Sequence, residues 1–484
     1  MAVLLMAPLL AQTSDEDAAR QLLESGRTAL TAGKGADAAA AFTTVVTKYP
    51  RTSLADDALL ERARYQLDVV RDDKAAAGSV DQLLSDYAAS NSVPAAQVLR
   101  ARLGLVESAS AEQRKASMAT LDRLAGDYAG TDVAAEALFR AAEAADYAGS
   151  SDALDRFNDL AARYPGMPVV AEGLLHAAVL HAAAGEALKA MDVLQRVRLR
   201  YPKTAAAARA LNQLTILHRL YLRSPSVAVF GYTRSIGGSA GKFRDFRDLL
   251  VDHDNRLLVA TRNAVTAFGP AGEVMATREA PDTEAAFIDA QDRLFTIHDQ
   301  GVIRGEGRSP LALATARTNG RVEPMDIDAA VAVSTGDLIV ANRSQKTLVR
   351  FSADGRPKGE MAKAIGARRL AASPQDNLAA LDADQKTVTL LARDGRITGR
   401  VAERGANYQL RQPGDVAFDA LGHVYVLDRA AVYVFTARGD RLLATFMSPD
   451  KSAGAFSNAQ ALALDAAGRL YIYEGRTDIV QVYQ

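Results

Sequence analysis

The sequence predicts an α + β multidomain chain: an α-solenoid of stacked helix pairs followed by a six-bladed all-β propeller. Three observations carry this. A tyrosine that closes a helical pattern recurs at Tyr49, Tyr87, Tyr128, Tyr164 and Tyr201, at spacings of 38, 41, 36 and 37 residues. That is the period of a helix-pair array. After Ser224-Pro225 the apolar period changes from 3.6 to 2, the change from helices to strands. Beyond that point one phrase, an apolar strand, a polar turn and a second strand, occurs six times.

The helical unit is clearest at 171–202, AEGLLHAAVLHAAAGEALKAMDVLQRVRLRYP. Two amphipathic helices break at Gly185, and Tyr201-Pro202 stops the second, since proline has no N–H and clashes with the preceding turn. Leu174, Ala177, Ala178, Gly185, Ala190, Leu194, Val197 and Pro202 set the pattern. Leu22, Ser25, Gly26, Ala29, Gly33, Ala38, Phe42, Val45 and Pro50 repeat it near the N-terminus. Small residues at these places let two helices cross closely. The unit resembles the tetratricopeptide repeat (TPR), over residues 13–222, with longer linkers of the kind found in bacterial envelope proteins. Tyr87 and Tyr128 lack the following proline. About five pairs are expected, with 203–222 a final helix capping the stack. Such arrays present a concave groove. The sixth position of each first helix reads Glu61, Arg100, Arg140, His176 and Gln213. Arg100, Arg140 and His176 are the candidate groove contacts, because Arg can clamp a peptide carboxylate with two hydrogen bonds. A solvated helix face is the competing reading of this position.

In the second half the six phrases are DLLVDHDNRLLVA (248–260), AAFIDAQDRLFTI (285–297), AVAVSTGDLIVA (330–341), RLAASPQDNLAAL (369–381), DVAFDALGHVYVL (415–427) and ALALDAAGRLYIY (461–473). The residues before each second strand, Arg256, Arg293, Asp337, Asn377, His423 and Arg469, step by 37, 44, 40, 46 and 46. A third strand, a DGR or RGD turn and a fourth strand usually follow. Four strands per period make a propeller blade. The last copy has only three strands, so 226–234 is expected to supply its outer strand and close the ring, which leaves no long sheet edge open. The run QPGDVAFDALGHVYVLDRAAVYVFTARGD (412–440) resembles the NHL repeat, and the resemblance extends over 225–484. The expected domains are the TPR-like array 13–222 and the NHL-like propeller 223–484, after a signal peptide or its remnant at 1–12.

One position, four after the first apolar residue of each second strand, is polar in all six copies: Thr261, His298, Asn342, Asp382, Asp428 and Glu474. The NHL-like resemblance implies a ring of these side chains near one face. His298, Asn342, Asp382, Asp428 and Glu474 are the candidate propeller contacts. Enzymes on similar propellers hold a divalent ion in the channel, and Ca²⁺ wants six to eight oxygens. Asn342, Asp382, Asp428 and Glu474 are the oxygens such an ion would use. The competing reading is that these residues start the next turn and bond their own backbone. Arg262, Arg343, Arg429 and Arg476 nearby would compete with a cation for the carboxylates. The glycine-rich run 231–245 lacks P-loop spacing and reads as a flexible loop before the first blade.

Composition narrows the function. The chain has 484 residues, a net charge of −1, no cysteine and no tryptophan. Near-neutral charge gives no support for a nucleic-acid partner. Lack of cysteine excludes disulfides, thiolate metal sites and thiol catalysis. Met1–Ala11 is a short apolar run followed by an acidic stretch, as in a secretory signal. It is too short to span a bilayer. The expected protein is an exported, periplasmic or extracellular scaffold, or a cytoplasmic one if that run is not a signal. It would bind proteins or peptides and carry no catalytic residue. A metal-dependent propeller hydrolase or lyase and a glycan-binding module are the alternatives. No cofactor is expected, with Ca²⁺ the ion the ring would take if it held one.

Overall fold

The computed structural model describes residues 6–105, 109–224, 227–237, 243–306, 308–316, 322–449 and 453–484. Among the described residues eleven α-helices precede the strands: α1 (Met6–Thr31), α2 (Gly35–Lys48), α3 (Ala55–Tyr65), α4 (Asp73–Asp86), α5 (Val93–Leu103), α6 (Ala111–Asp127), α7 (Asp132–Tyr147), α8 (Ala153–Arg163), α9 (Val169–Ala183), α10 (Ala187–Arg200) and α11 (Ala205–Leu217). By packing, the chain divides into two compact units, and the division falls at Gly173/Leu174, inside α9. The sequence places the change of architecture at 222/223 instead. There the helices do end, but α10 and α11 group with the propeller.

In the first unit each helix packs on its sequence neighbour. Phe42, Val45, Leu59 and Leu83, all fully buried, form one core, and Leu121, Leu124, Ala137 and Ala141 a second. Gly26 shows why the pattern wants small residues. A Cβ there would lie 2.5 Å from the Phe42 ring. Helix starts follow local chemistry. Ser110 and Gln113 form a reciprocal capping box at α6, and Asp72 and Thr131 accept from the third residue on at α4 and α7. The recurring tyrosine has a double role. Tyr49, Tyr87 and Tyr164 are C-caps near φ −127°, each bonding its N–H to the carbonyl four residues back. The Tyr87 hydroxyl then donates to the Pro50 carbonyl at 2.7 Å, and the Tyr164 hydroxyl accepts from the Gly130 N–H at 3.2 Å. The tyrosine of one repeat thus ties down the loop of the repeat before it. α1 begins at Met6, inside the apolar run Met1–Ala11.

Among the described residues of the second unit, six four-stranded antiparallel sheets follow one another in chain order. They cover 246–279, 285–312, 327–363, 369–401, 413–447 and 459–483, here blades 1 to 6. Blade 6 has three strands of its own and takes its outer strand from Tyr232–Ile236, which pairs antiparallel with Ile479–Tyr483. This strand starts six residues later than the expected 226–234. Val229 and Phe230 turn inward instead and are buried, Phe230 between Tyr425 and Phe446. The glycine-rich run 231–245 is therefore partly strand, and its residues 238–242 lie outside the described residues. Blade 2 has only a two-residue outer strand, Leu311–Ala312.

The six phrases share one turn. A residue at the end of the inner strand bonds its N–H to the carbonyl four residues on, and its own carbonyl accepts from the residue three on. That third residue is left-handed in every blade: Asn255, Asp292, Gly336, Asp376, Gly422 and Gly468. This is a type I turn with a left-handed bulge residue, the geometry of a three-residue hairpin loop. In four blades the first residue is a buried aspartate, Asp252, Asp289, Asp419 or Asp465. One oxygen accepts from the backbone N–H four residues on, and the other from the Arg or His side chain there, at 2.5 to 2.8 Å. Where the left-handed residue carries a side chain, it reaches the previous blade. Asn255 accepts from Ala466, Asp292 from His253 and Asp376 from Ser334.

Candidate functional site

The propeller has two ends, fixed by strand direction. The aspartate turns mark one. At the other the second strands finish, bringing Thr261, His298, Asn342, Asp382, Asp428 and Glu474 to equivalent register positions. The Asp428 oxygens accept from the Arg411 and Gln412 N–H groups at 2.8 and 2.6 Å. Glu474 accepts from Ser457 and Asn458 at 2.9 and 3.0 Å. These two clamp the connection that leads into their own blade. Asp382 accepts from Gln385 N–H at 2.9 Å, Asn342 from Ser344 Oγ at 3.0 Å, and Thr261 donates to the Ala264 carbonyl at 3.0 Å. His298 Nε2 lies 2.9 Å from Thr296 Oγ1, and burial, with Arg304 nearby, pushes its pKa below the ordinary value. Among the described residues no group of three or more His, Asp or Glu side chains is placed to hold a metal ion.

A second set, not singled out by the sequence, stands one register step further into the channel. The six equivalent inner-strand residues are Asp248, Ala285, Ala329, Arg369, Asp415 and Ala461. Arg369, on blade 4, lies 4.0 Å from Asp248 on blade 1 and 4.0 Å from Asp415 on blade 5. Blades 1 and 4 are opposite each other, so the arginine spans the channel, and the three alanines leave it room. Each aspartate also staples neighbouring blades. Asp248 accepts from Leu249 and Ala286, Asp415 from Val416 and Leu462. Burial raises the Asp415 pKa to about 7, with Asp248 adding to the rise and Arg369 opposing it. Asp248 is raised for the same first reason, against Arg369. Burial works against the Arg369 charge, but Asp248, Asp415 and Asp328 outweigh it. The guanidinium side chain stays 27% exposed, so water reaches the set. The aligned phrases held the signal: a charge where three copies have alanine.

In the array, Arg100 pairs with Asp81 at 3.1 Å and lines a cleft of about 680 Å³ with Lys74, Gln97, Ser117, Thr120 and Arg123. A second cleft of about 450 Å³ lies among α6, α7 and α8, lined by Asp122, Asp155, Arg156, Asp159 and Arg163. Arg140 is differently placed. Glu136 and Glu143 of its own helix hold it at 2.7 and 2.8 Å, and it lies over the Phe139 ring. Burial would lower its pKa, but the two glutamates outweigh that and raise it. His176 is half-buried on α9, and Glu61, at the same repeat position, is bonded by Arg27. Of the first unit's two candidates, Arg100 lines the larger cleft and Arg140 is held by its own helix.

Residues 172–204 match the family model described as the tetratricopeptide repeat. No curated protein matches the chain. Among solved structures, the chain is similar to a gluconolactonase of Xanthomonas campestris, at 15% identity over 52% of this chain and 98% of that one, TM-score 0.38. It is similar to regucalcin, a calcium-binding protein of Agrobacterium tumefaciens, at 13% identity over 53% and 95%, TM-score 0.37. A WD40 domain of Neurospora crassa shows 11% identity over 49% and 74%, TM-score 0.33.

Proposed function

We propose that the protein is a non-enzymatic scaffold that holds a peptide or protein segment on its helical array and a second ligand on its propeller. The TPR match and the propeller are both architectures that mediate protein interaction. The observation that supports the reading most is the fate of the polar ring. Asp382 spends an oxygen on a backbone N–H of its own blade, and Asp428 and Glu474 spend theirs on the connections that lead into their blades, so their chemistry is that of supports. The α4–α6 cleft, in contrast, sets Lys74, Arg100 and Arg123 beside Asp73 around an open groove, with Arg100 and Arg123 half-exposed against Asp81 and Asp127, a setting in which the carboxylates of an extended segment would compete for both guanidinium groups. No cofactor enters this function. Export to the bacterial envelope, read from the apolar N-terminal run, belongs to the same proposal.

The test is photo-crosslinking in cells. A photoreactive residue replaces Gln97 in the cleft or, as a reference, Thr277 on the fully exposed outer strand of blade 1. The scaffold reading expects discrete protein adducts from position 97, reduced about tenfold or more by Arg100→Glu, a loss of order 1.4 kcal/mol. Adducts from position 97 no stronger than those from 277, or indifferent to Arg100→Glu, would count against it.

A further inference from the structure

Blade 5 differs from the others at its aspartate turn, where a histidine takes the fourth place, and the residues at the end of α11 and just after it are seated on that turn and on the turn of blade 6. Where blades 1, 2 and 6 place Arg256, Arg293 and Arg469, blade 5 places His423. His423 is 1% exposed and its Nδ1 lies 2.8 Å from Asp419 Oδ2. In the neutral ring, with Asp419 accepting from Nδ1, Nε2 is the acceptor. The Tyr221 hydroxyl lies 3.1 Å from Nε2, placed to donate to it in that tautomer. An arginine has no acceptor atom and could not take this bond. On blade 6, Arg219 donates to the Gly468 carbonyl at 2.5 Å and stacks over Phe230, 4.7 Å from the ring centroid. Fully buried Ile216 sits where a Cβ on Gly468 would be, at 2.7 Å.

The helix is shaped for this. At 3.6 residues per turn, Ile216 and Tyr221 would point about 140° apart. His218–Leu222 is instead a π-helical turn, whose wider i to i+5 closure swings Tyr221 toward the Ile216 and Arg219 side.

We propose that this helix end is a latch. Residues 213–222 are a built-in part of the propeller, held by His423 and Gly468, and they cover the aspartate-turn end of blades 5 and 6. The propeller module thus begins within the helices, at α11 or before, and not at residue 223.

The turns themselves supply the controls. Asn255 occupies in blade 1 the left-handed place that Gly468 has in blade 6, so Gly468→Asn keeps the turn and obstructs Ile216 and, at 3.3 Å, Arg219, both of the latch. Gly336→Asn makes the same change in blade 3, where the nearest atom to a new Cβ is 3.8 Å away. His423→Arg restores the side chain that blades 1, 2 and 6 use with their aspartates. Hydrogen exchange is measured on the full chain. The amides of 213–222 are expected to be as protected as the strands of blades 5 and 6. Gly468→Asn and His423→Arg should each speed them at least about tenfold, while Gly336→Asn leaves them unchanged. If His423→Arg leaves these amides at the parent rate with blade 5 still protected, or Gly336→Asn speeds them as much as Gly468→Asn, the latch is overturned.

Discussion

At the scale of single residues, the propeller channel is where ordinary pattern and unusual charge meet. Asp415 carries a pKa raised to about 7, against an unfolded value near 3.9. A raised carboxylate pKa means the folded state holds its proton longer than the unfolded chain does. The charged form is then a cost to the fold. That cost is absent below about pH 4, grows as pH rises toward 7, and is constant above it. Stability should therefore fall between pH 5 and pH 8. Each tenfold difference in proton affinity between the folded and unfolded chain is worth roughly 1.4 kcal/mol, so the fall is of the order of a few kcal/mol. Asp415→Asn removes the titration and should flatten that dependence when urea midpoints are compared at the two pH values. An unchanged slope in the variant would show that another group sets it. The residues of this set were visible in the sequence, since Asp248 and Asp415 share an offset in their phrases and Arg369 has the same one. Their meaning was not, because an offset does not say that blades 1, 4 and 5 face one channel. The polar ring had the opposite fate. Its six positions and common register were legible, but the partners of Asp428 and Glu474 belong to loops that only the closed blade brings near.

Among elements, the repeated turn is the most economical piece of the design. An aspartate, a left-handed third residue and an arginine or histidine at the fourth place form a closed unit within five residues. The sequence marked the residue before each second strand without indicating its partner, since the aspartate that binds it sits across a hairpin. Asp465 accepts from the Ala467 and Arg469 N–H groups and from Arg469 Nε, and is 3% exposed. Asp465→Ala would leave two backbone donors and a cation without their acceptor, and should cost about 3 kcal/mol. Asp254→Ala is the contrast. It lies in the equivalent hairpin of blade 1, 72% exposed, with Arg256 at 3.4 Å, and should stay within about 0.5 kcal/mol. Chemical denaturation of the two variants measures both. Equal losses would mean that the turn is held by its backbone bonds alone. Blade 4 indicates how far the unit can be weakened. Ser373 replaces the aspartate there and caps the Gln375 and Asn377 N–H groups with its hydroxyl, and Asn377 stands where the arginine would.

For the propeller as a whole molecule, closure depends on its two ends meeting. Thr233 bonds to Val482 across 249 positions of sequence, and Gly231 and Gln484 exchange both backbone bonds at 2.8 and 2.9 Å. Tyr483, fully buried, packs its ring on Phe446, Phe456 and Tyr232 and donates its hydroxyl to the Gly454 carbonyl. Bringing such distant segments together is entropically slow, and no earlier strand can take their place. Ending the chain after Glu474 would remove the partner of Tyr232–Ile236 and expose the edge of Leu470–Glu474 at once. Unpaired edges of this length recruit other chains. The shortened protein should lose its sharp thermal transition and sediment as a mixture of associated species, while the full chain melts cooperatively. A truncated chain that stayed monomeric and melted within a few degrees of the parent would mean that blades 1 to 5 hold the ring by side packing. The closing strand would then serve only to cover an edge.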